Sequence, residues 1–250
     1  MKAVQCARST VRWLATGVGL TAAAYAAYVG TAWCRYGQAR RGPNREDADP
    51  LLDRFMPEFE VVERHHVRVG APAEITLAAA CDMDLLRSTI VRAIFKVREL
   101  ILGGRPEQTL PAQGLLAQVK ALGWEVLGEI PGREIVFGAV TQPWLANVAF
   151  RTLPAEEFAA FQVPGYAKIA WTLRVDPITA AESVARTETR VLTTDAAARA
   201  KFRWYWSFAS PGVVLIRRVL LRLVKADAER RPRRAGPERR TAESLTQSGP

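Results

Sequence analysis

The chain has 250 residues, 49% of them hydrophobic, with 35 Lys and Arg against 25 Asp and Glu and a formal net charge of +10. With terminal segments set aside, a domain of about 150 to 170 residues remains, enough to bury a sizeable core. The positive balance lies at the ends: residues 46–198 hold 15 basic against 21 acidic side chains, residues 1–45 seven against none, and residues 199–250 13 against 4. A nucleic-acid binder spreads basic charge over its recognition face, so that class is excluded. Basic ends suit anionic lipid instead, at ~1 kcal/mol per Lys or Arg near the surface, or a solvated Arg-rich tail. Arg outnumbers Lys 29 to 6, a bias that suits a GC-rich bacterial genome. Cys6, Cys34 and Cys81 form no CxxC pair, so neither a disulfide framework nor a metal site is expected.

The first feature from the amino terminus is residues 13–34, 22 in a row without a charge. A helix needs about 20 apolar residues to cross the hydrocarbon core of a bilayer. Lys2, Arg8 and Arg12 precede the run and Arg35, Arg40, Arg41 and Arg45 follow it, while Trp13 and Trp33 stand at its ends as interfacial aromatics do. A single-pass anchor is expected, with Trp13, Trp33 and Arg35 at the membrane surface and the domain on the cytoplasmic side. A cleaved signal peptide is the alternative, because Ala24-Tyr25-Ala26 resembles a cleavage site. Ala15, Gly19, Ala23, Ala27 and Thr31 recur every four residues, either as a packing stripe or as part of an alanine-rich span.

Residues 37–53 are polar and expected as a tether. A strand is expected over 59–69, where Phe59, Val61, Val67 and Val69 alternate with mostly charged neighbours. Pro72 and Glu74 open a short helix to about Ala80. Asp84 caps a longer one to Leu102, with Leu86, Ile90, Ile94, Val97 and Ile101 on one face. A further helix is expected over 114–122. Strand-like runs follow at 124–130, 133–140, 147–153, 166–175 and 183–193, the first two joined by a Pro131-Gly132 turn. Asp195 caps a last helix to about Arg231, broken or kinked at Pro211-Gly212. The chain divides into an anchor (1–36), a linker (37–54), a domain (55–231) and a disordered basic tail (232–250). A strand, helices, five strands and a long helix is the order of an α+β fold with an antiparallel sheet. A curved sheet of about six strands around that helix leaves a cavity for an apolar ligand.

Several local stretches carry a family likeness: Glu134-Ile-Val-Phe-Gly138 with Pro143-Trp144, Phe161 with Pro164-Gly165-Tyr166-Ala167-Lys168, Glu188-Thr189-Arg190, and Phe202 with Tyr205-Trp206. Over about residues 59–230 the chain resembles the START-like helix-grip superfamily (SRPBCC), the polyketide-cyclase and lipid-transfer group. That resemblance implies the helix-grip fold and a hydrophobic pocket. It carries over no catalytic residue, cofactor or metal, since the superfamily has no universal catalytic set.

His65 and His66 are the only histidines, and on a strand they point to opposite faces. His65 shares the apolar face with Glu63, either as an acid–base pair in a cavity or as an edge-strand pair. Arg186, Glu188 and Arg190 share one face of the last strand as a salt-bridged or solvated ladder, with Thr187, Thr189 and Val191 on the other. The expected pocket lining is His65, Phe137, Trp144, Tyr166, Ile169, Trp171, Phe202 and Trp206. Arg218, Arg222 and Lys225 form a basic edge suited to lipid headgroups. No Walker loop, GxGxxG, GxSxG or HExxH is present, which argues against the usual nucleotide-hydrolysing, Rossmann, hydrolase-fold and zinc-protease chemistries. The leading expectation is a membrane-tethered, non-enzymatic domain for a hydrophobic or amphipathic small molecule, with membrane lipid as a partner. A cyclase or dehydratase acting on a polyketide-like substrate, with Glu63, His65 or Tyr166 moving protons, is one alternative. A membrane-attached scaffold with a filled core is the other.

Overall fold

Alternation from residue 61 onward builds one antiparallel sheet, and the last helix lies along one of its faces. The computed structural model describes residues 19–20, 23–34, 36, 40–41, 48–84, 88–102 and 114–231. Helix α1 occupies residues 23–34. It is followed by β1 (Arg40–Arg41), α2 (Pro50–Asp53), β2 (Glu58–Phe59), β3 (Val61–Val69), α3 (Ala73–Cys81), α4 (Thr89–Leu102) and α5 (Gly114–Ala121). Then come β4 (Glu125–Ile130), β5 (Glu134–Thr141), β6 (Phe150–Arg151), α6 (Ala155–Ala160), β7 (Ala167–Thr179), β8 (Glu182–Thr193) and α7 (Ala196–Ala228). The main sheet runs β3-β8-β7-β5-β4, with β6 beside β5, and every pairing is antiparallel. A short β1–β2 pair stands apart from it. This is the expected α+β sheet of six strands with a long carboxy-terminal helix.

Local chemistry explains the joints. Pro131 and Gly132 close the β4–β5 hairpin, and Gly132 takes a φ of 73°, open to a residue without a Cβ. Gly138 on β5 is required for a different reason: a Cβ there would lie 2.4 Å from Cδ1 of Leu127 on the bulged strand β4. The Asp195 carboxylate caps α7 by accepting from the amides of Ala197 and Ala198, and it also takes the Gly165 amide. The helix runs for 33 residues through Pro211-Gly212, so of the expected break or kink the break does not occur. Pro211 removes the donor that the Ser207 carbonyl would take; nearby, Ser207 Oγ donates to Arg203 O at 2.8 Å and Tyr25 Oη to Phe208 O at 3.0 Å.

The two faces of the sheet carry different layers. On the inner face Val67, Val69, Phe137, Trp171, Leu173 and Val175 pack against α3, α5 and the second half of α7. Nearer the start of α7, Val61, Ile169 and Val191 meet Phe202, Trp206, Tyr36 and Ala32. On the outer face Val136, Val140, Ala170 and Phe59 are covered by Leu51 and Leu52 of α2 and Phe158 of α6. Thus residues 50–53, within the stretch expected as a tether, are helical and feed the core. The strand expected over 147–153 shrinks to Phe150–Arg151, and α6 follows it. In α4, Val91 is buried while Ile90 and Val97 are exposed, so the apolar stripe read from spacing does not all face inward.

Among the described residues no helix is long and apolar enough to cross a membrane. The expected anchor lies partly outside them, as do Trp13, Arg35 and the tail from residue 232. What is described of it, α1, rests on α7. Ala32 is buried there, Tyr28 Oη and Ser210 Oγ lie 3.0 Å apart, and Arg203 stacks 4.5 Å over the Trp33 ring while donating to Trp33 O.

Candidate functional site

Strand register brings one set of polar side chains to the centre of the inner face. Glu63 pairs with Thr189 and His65 with Thr187 across β3 and β8, and Thr189 pairs with Trp171 across β8 and β7. Period-2 alternation sends all of these to the face that α7 covers. Apolar walls surround them. Phe137 and Trp171 stack at 4.3 Å, the Arg217 guanidinium lies 4.7 Å over the Trp171 ring, and Tyr36 meets Trp206 edge-on at 6.0 Å.

Four polar atoms in this layer are buried without a hydrogen-bond partner among the described residues: Nε2 of His65, Oγ1 of Thr187, Oγ1 of Thr189 and Nε1 of Trp206. The Trp206 N–H can only donate, whereas each hydroxyl both donates and accepts. Glu63 accepts a hydrogen bond from Tyr36 Oη, and its other oxygen is 3.7 Å from His65 Nε2, too far for a hydrogen bond. Burial pushes the His65 imidazole below its ordinary pKa; Glu63 pulls it up, and Arg218, Arg217 and His66 push it further down. His65 is therefore neutral at pH 7, able to offer one nitrogen as donor and one as acceptor. Burial also lowers the Arg217 guanidinium to about 10, still a cation at neutral pH. An imidazole, a carboxylate and two hydroxyls on one wall suit orientation of a polar head, or proton exchange with it. No cluster of His, Cys, Asp and Glu suited to a metal occurs among the described residues.

His65, Phe137, Trp144, Ile169, Trp171, Phe202 and Trp206 all belong to the inner layers. They divide into two groups: Phe137 and Trp171 pack with α3 and α5, the rest of the apolar ones with the first half of α7. Tyr166 does not join them. Its ring packs against Phe161 at 5.7 Å, with Arg151 5.4 Å above it, in the outer layer. It stands one residue before Ala167, whose side chain faces inward, and alternation turns the tyrosine outward. Sequence reasoning did not nominate Thr187, Thr189, Tyr36 or Arg217. The two threonines carried a signal in their shared face with Val191. Of the expected membrane contacts, Trp33, Arg218 and Arg222 are exposed. Lys225 is half-buried and bonded to Arg68 O and Glu229.

Open clefts are present on the other face. Two of about 770 and 420 Å3 flank α2 and α6 on the outer face, not between the sheet and α7. Lys168 lines the larger, buried beside the Phe158 ring at 5.2 Å and donating to Ala159 O at 2.8 Å; burial lowers its pKa. A charge network on the outer face reaches the larger cleft through Asp53. Arg190, fully buried, donates to Glu188, Asp53 and Met56 O at 2.6–2.7 Å, and Arg64 holds the other oxygen of Glu188.

No protein-family model matches the sequence, and no curated protein does. Among solved structures, the di-domain aromatase/cyclase BexL of the BE-7585A biosynthetic pathway is similar at 14% identity and a TM-score of 0.28, over 68% of this chain and 46% of that one. The chain thus spans about half the length of that protein. A conserved protein from Geobacillus kaustophilus is similar at 10% identity and 0.31, over 67% of this chain and 95% of that one. The Zhui aromatase/cyclase from Streptomyces sp. R1128 is similar at 18% and 0.23, over 70% and 98% respectively.

Proposed function

We propose that the protein is a helix-grip domain that binds a hydrophobic or amphipathic small molecule, with lipid as the favoured class, between the inner face and α7. The observation behind this reading is the set of unpartnered buried atoms on His65, Thr187, Thr189 and Trp206. Leaving a buried donor or acceptor unsatisfied costs about 1–3 kcal/mol. A ligand head that both donates and accepts would recover that cost, while its apolar body lay along Trp171, Ile169 and Phe202. Purified full-length protein should then release an amphiphile into organic solvent in amounts comparable to the protein, as read by mass spectrometry. Thr187→Val with Thr189→Val, and separately His65→Ala, should lower that yield several-fold. An empty extract from the unaltered protein, together with hydrophobic-probe binding that none of these substitutions changes, would end the reading.

A second reading is a scaffold whose inner layer is filled by its own side chains, and the two clefts beside α2 and α6 support it by lying on the outer face. Under it the same substitutions leave every binding measurement unchanged.

Attachment to a membrane through residues 13–34, with the domain on the cytoplasmic side, completes the proposal. Its support is the uncharged run and its basic flanks. Alkaline washing of membranes should leave the protein in the pellet, and protease should reach the domain only from the cytoplasmic side.

A further inference from the structure

Helix α1 is fastened to α7 from Tyr25 onward. Tyr25 donates to Phe208 O, Tyr28 meets Ser210, Ala32 is buried, and the Trp33 carbonyl takes Arg203. Of the uncharged run, only the twelve residues 13–24 precede that docked stretch. Even as a continuous helix, twelve residues reach about 18 Å, well short of the roughly 30 Å hydrocarbon core. A span therefore reaches full length only if the docked turns enter the membrane, and the surface of α7 beside them enters as well.

That surface is built for it. Trp204 is 60% exposed and Phe208 43%, their rings 4.9 Å apart and tilted by 50°, and Tyr25, bonded to Phe208 O, is 45% exposed. Leu215 continues the same face of α7 at helical spacing, and Arg218, Arg222 and Lys225 follow at steps of three and four. One face of one helix thus passes from aromatic to aliphatic to basic, the profile of a helix lying in an interface with cations at headgroup level. On this face Arg218 and Arg222 are exposed cations, suited to an anionic surface.

We propose that the Trp204–Phe208 face of α7 is immersed in the bilayer beside the anchor, so that the domain lies against the membrane rather than hanging from a free tether. The inference rests on the anchored reading given above and adds a defined contact face to it. The test places a benzoylphenylalanine cross-linker at position 204, 208 or, as a control on the outer face, 163, in the full chain. The protein is reconstituted in vesicles of phosphatidylcholine with phosphatidylglycerol. All three positions are exposed, so the substitution leaves the core intact. After flotation and irradiation, phospholipid adducts are expected at 204 and 208, several-fold above those at 163. If the protein floats with the vesicles but 204 and 208 give no more lipid adduct than 163, the immersed face is wrong and the anchor stands. Adducts at 204 to a second copy in place of lipid overturn it in favour of a dimer contact. Protein that fails to float refutes the anchor and this inference together.

Discussion

On β8, Glu188 and Arg190 point outward and Thr187 and Thr189 inward, so neighbouring residues of one strand meet opposite fates. Outside, Glu188 is bonded by Arg64 and Arg190, and Arg190 also reaches Asp53 and Met56 O. Further along, Asp176 gathers Arg133, Arg174 and Arg186 within 3.0–3.1 Å. Inside, the threonine hydroxyls and His65 Nε2 have no partner among the described residues. A buried polar group that is fully bonded holds a fold together; one left unbonded costs free energy unless something else meets it. The contrast is one of degree: outside, Nη2 of Arg190 and Oε1 of Glu134 are also buried without a partner among the described residues, but Nε and Nη1 of Arg190 are bonded.

The largest effect is expected where the outer wiring is removed. Arg190→Met leaves Glu188 and Asp53 without their buried cation and should cost about 3–5 kcal/mol, measured by urea unfolding. A cost below about 1 kcal/mol would mean that the outer network contributes little. Gly138→Ala forces a methyl group onto Leu127 and should cost about 1–3 kcal/mol. Leu127→Ala in the same chain should remove most of that increment, and a double-mutant cycle reads the coupling.

A pH effect follows from Glu134, which is buried on the outer face. Desolvation, then the hydrogen bond and charge of Asp49, push its carboxyl up to about 8 against the opposing Arg174 and Arg133. The folded form keeps this proton where the unfolded chain has lost it. Its contribution is therefore complete below the ordinary carboxyl pKa and is lost as pH rises through about 8. Thermal stability of the unaltered protein should fall between pH 5 and 8, and Glu134→Gln should flatten that decline.

The smallest effect sharpens the contrast most. Thr187→Val and Thr189→Val keep the shape and remove hydroxyls that have no partner, so stability should hold or rise by up to about 1 kcal/mol. A loss of more than that would show the hydroxyls to be satisfied in solution and would blur the distinction between the faces.

The long elements were legible because their periodicity is long. The alternation over β3, β7 and β8 and the capped run after Asp195 emerge from the sequence with ends displaced by only a few residues. The elements that escaped are α2 and α6, of four and six residues, too short for a helical period to register. Those two helices cover the outer face, so the open clefts beside them were invisible in advance. Placement on the inner face was readable where alternation governs it, at His65, Ile169 and Trp171, and failed at Tyr166, where β7 has not yet begun. The docking of α1 on α7 had no sequence signal, because Tyr25 and Tyr28 bond a carbonyl and a hydroxyl 182 or more residues away.

Arg190 is held from above by α2, and α2 is positioned by Asp49, whose carboxylate accepts from the Leu52 amide at 2.9 Å. Residues 49–53, ahead of β3, thus act as a clasp on a buried guanidinium that Glu188 and Met56 O also hold. Any shortened version beginning at residue 55 discards that clasp and should misfold, whereas one beginning ahead of Asp49 retains it. For anyone seeking a manageable fragment, the boundary is set by a guanidinium 137 residues further along the chain than Asp53.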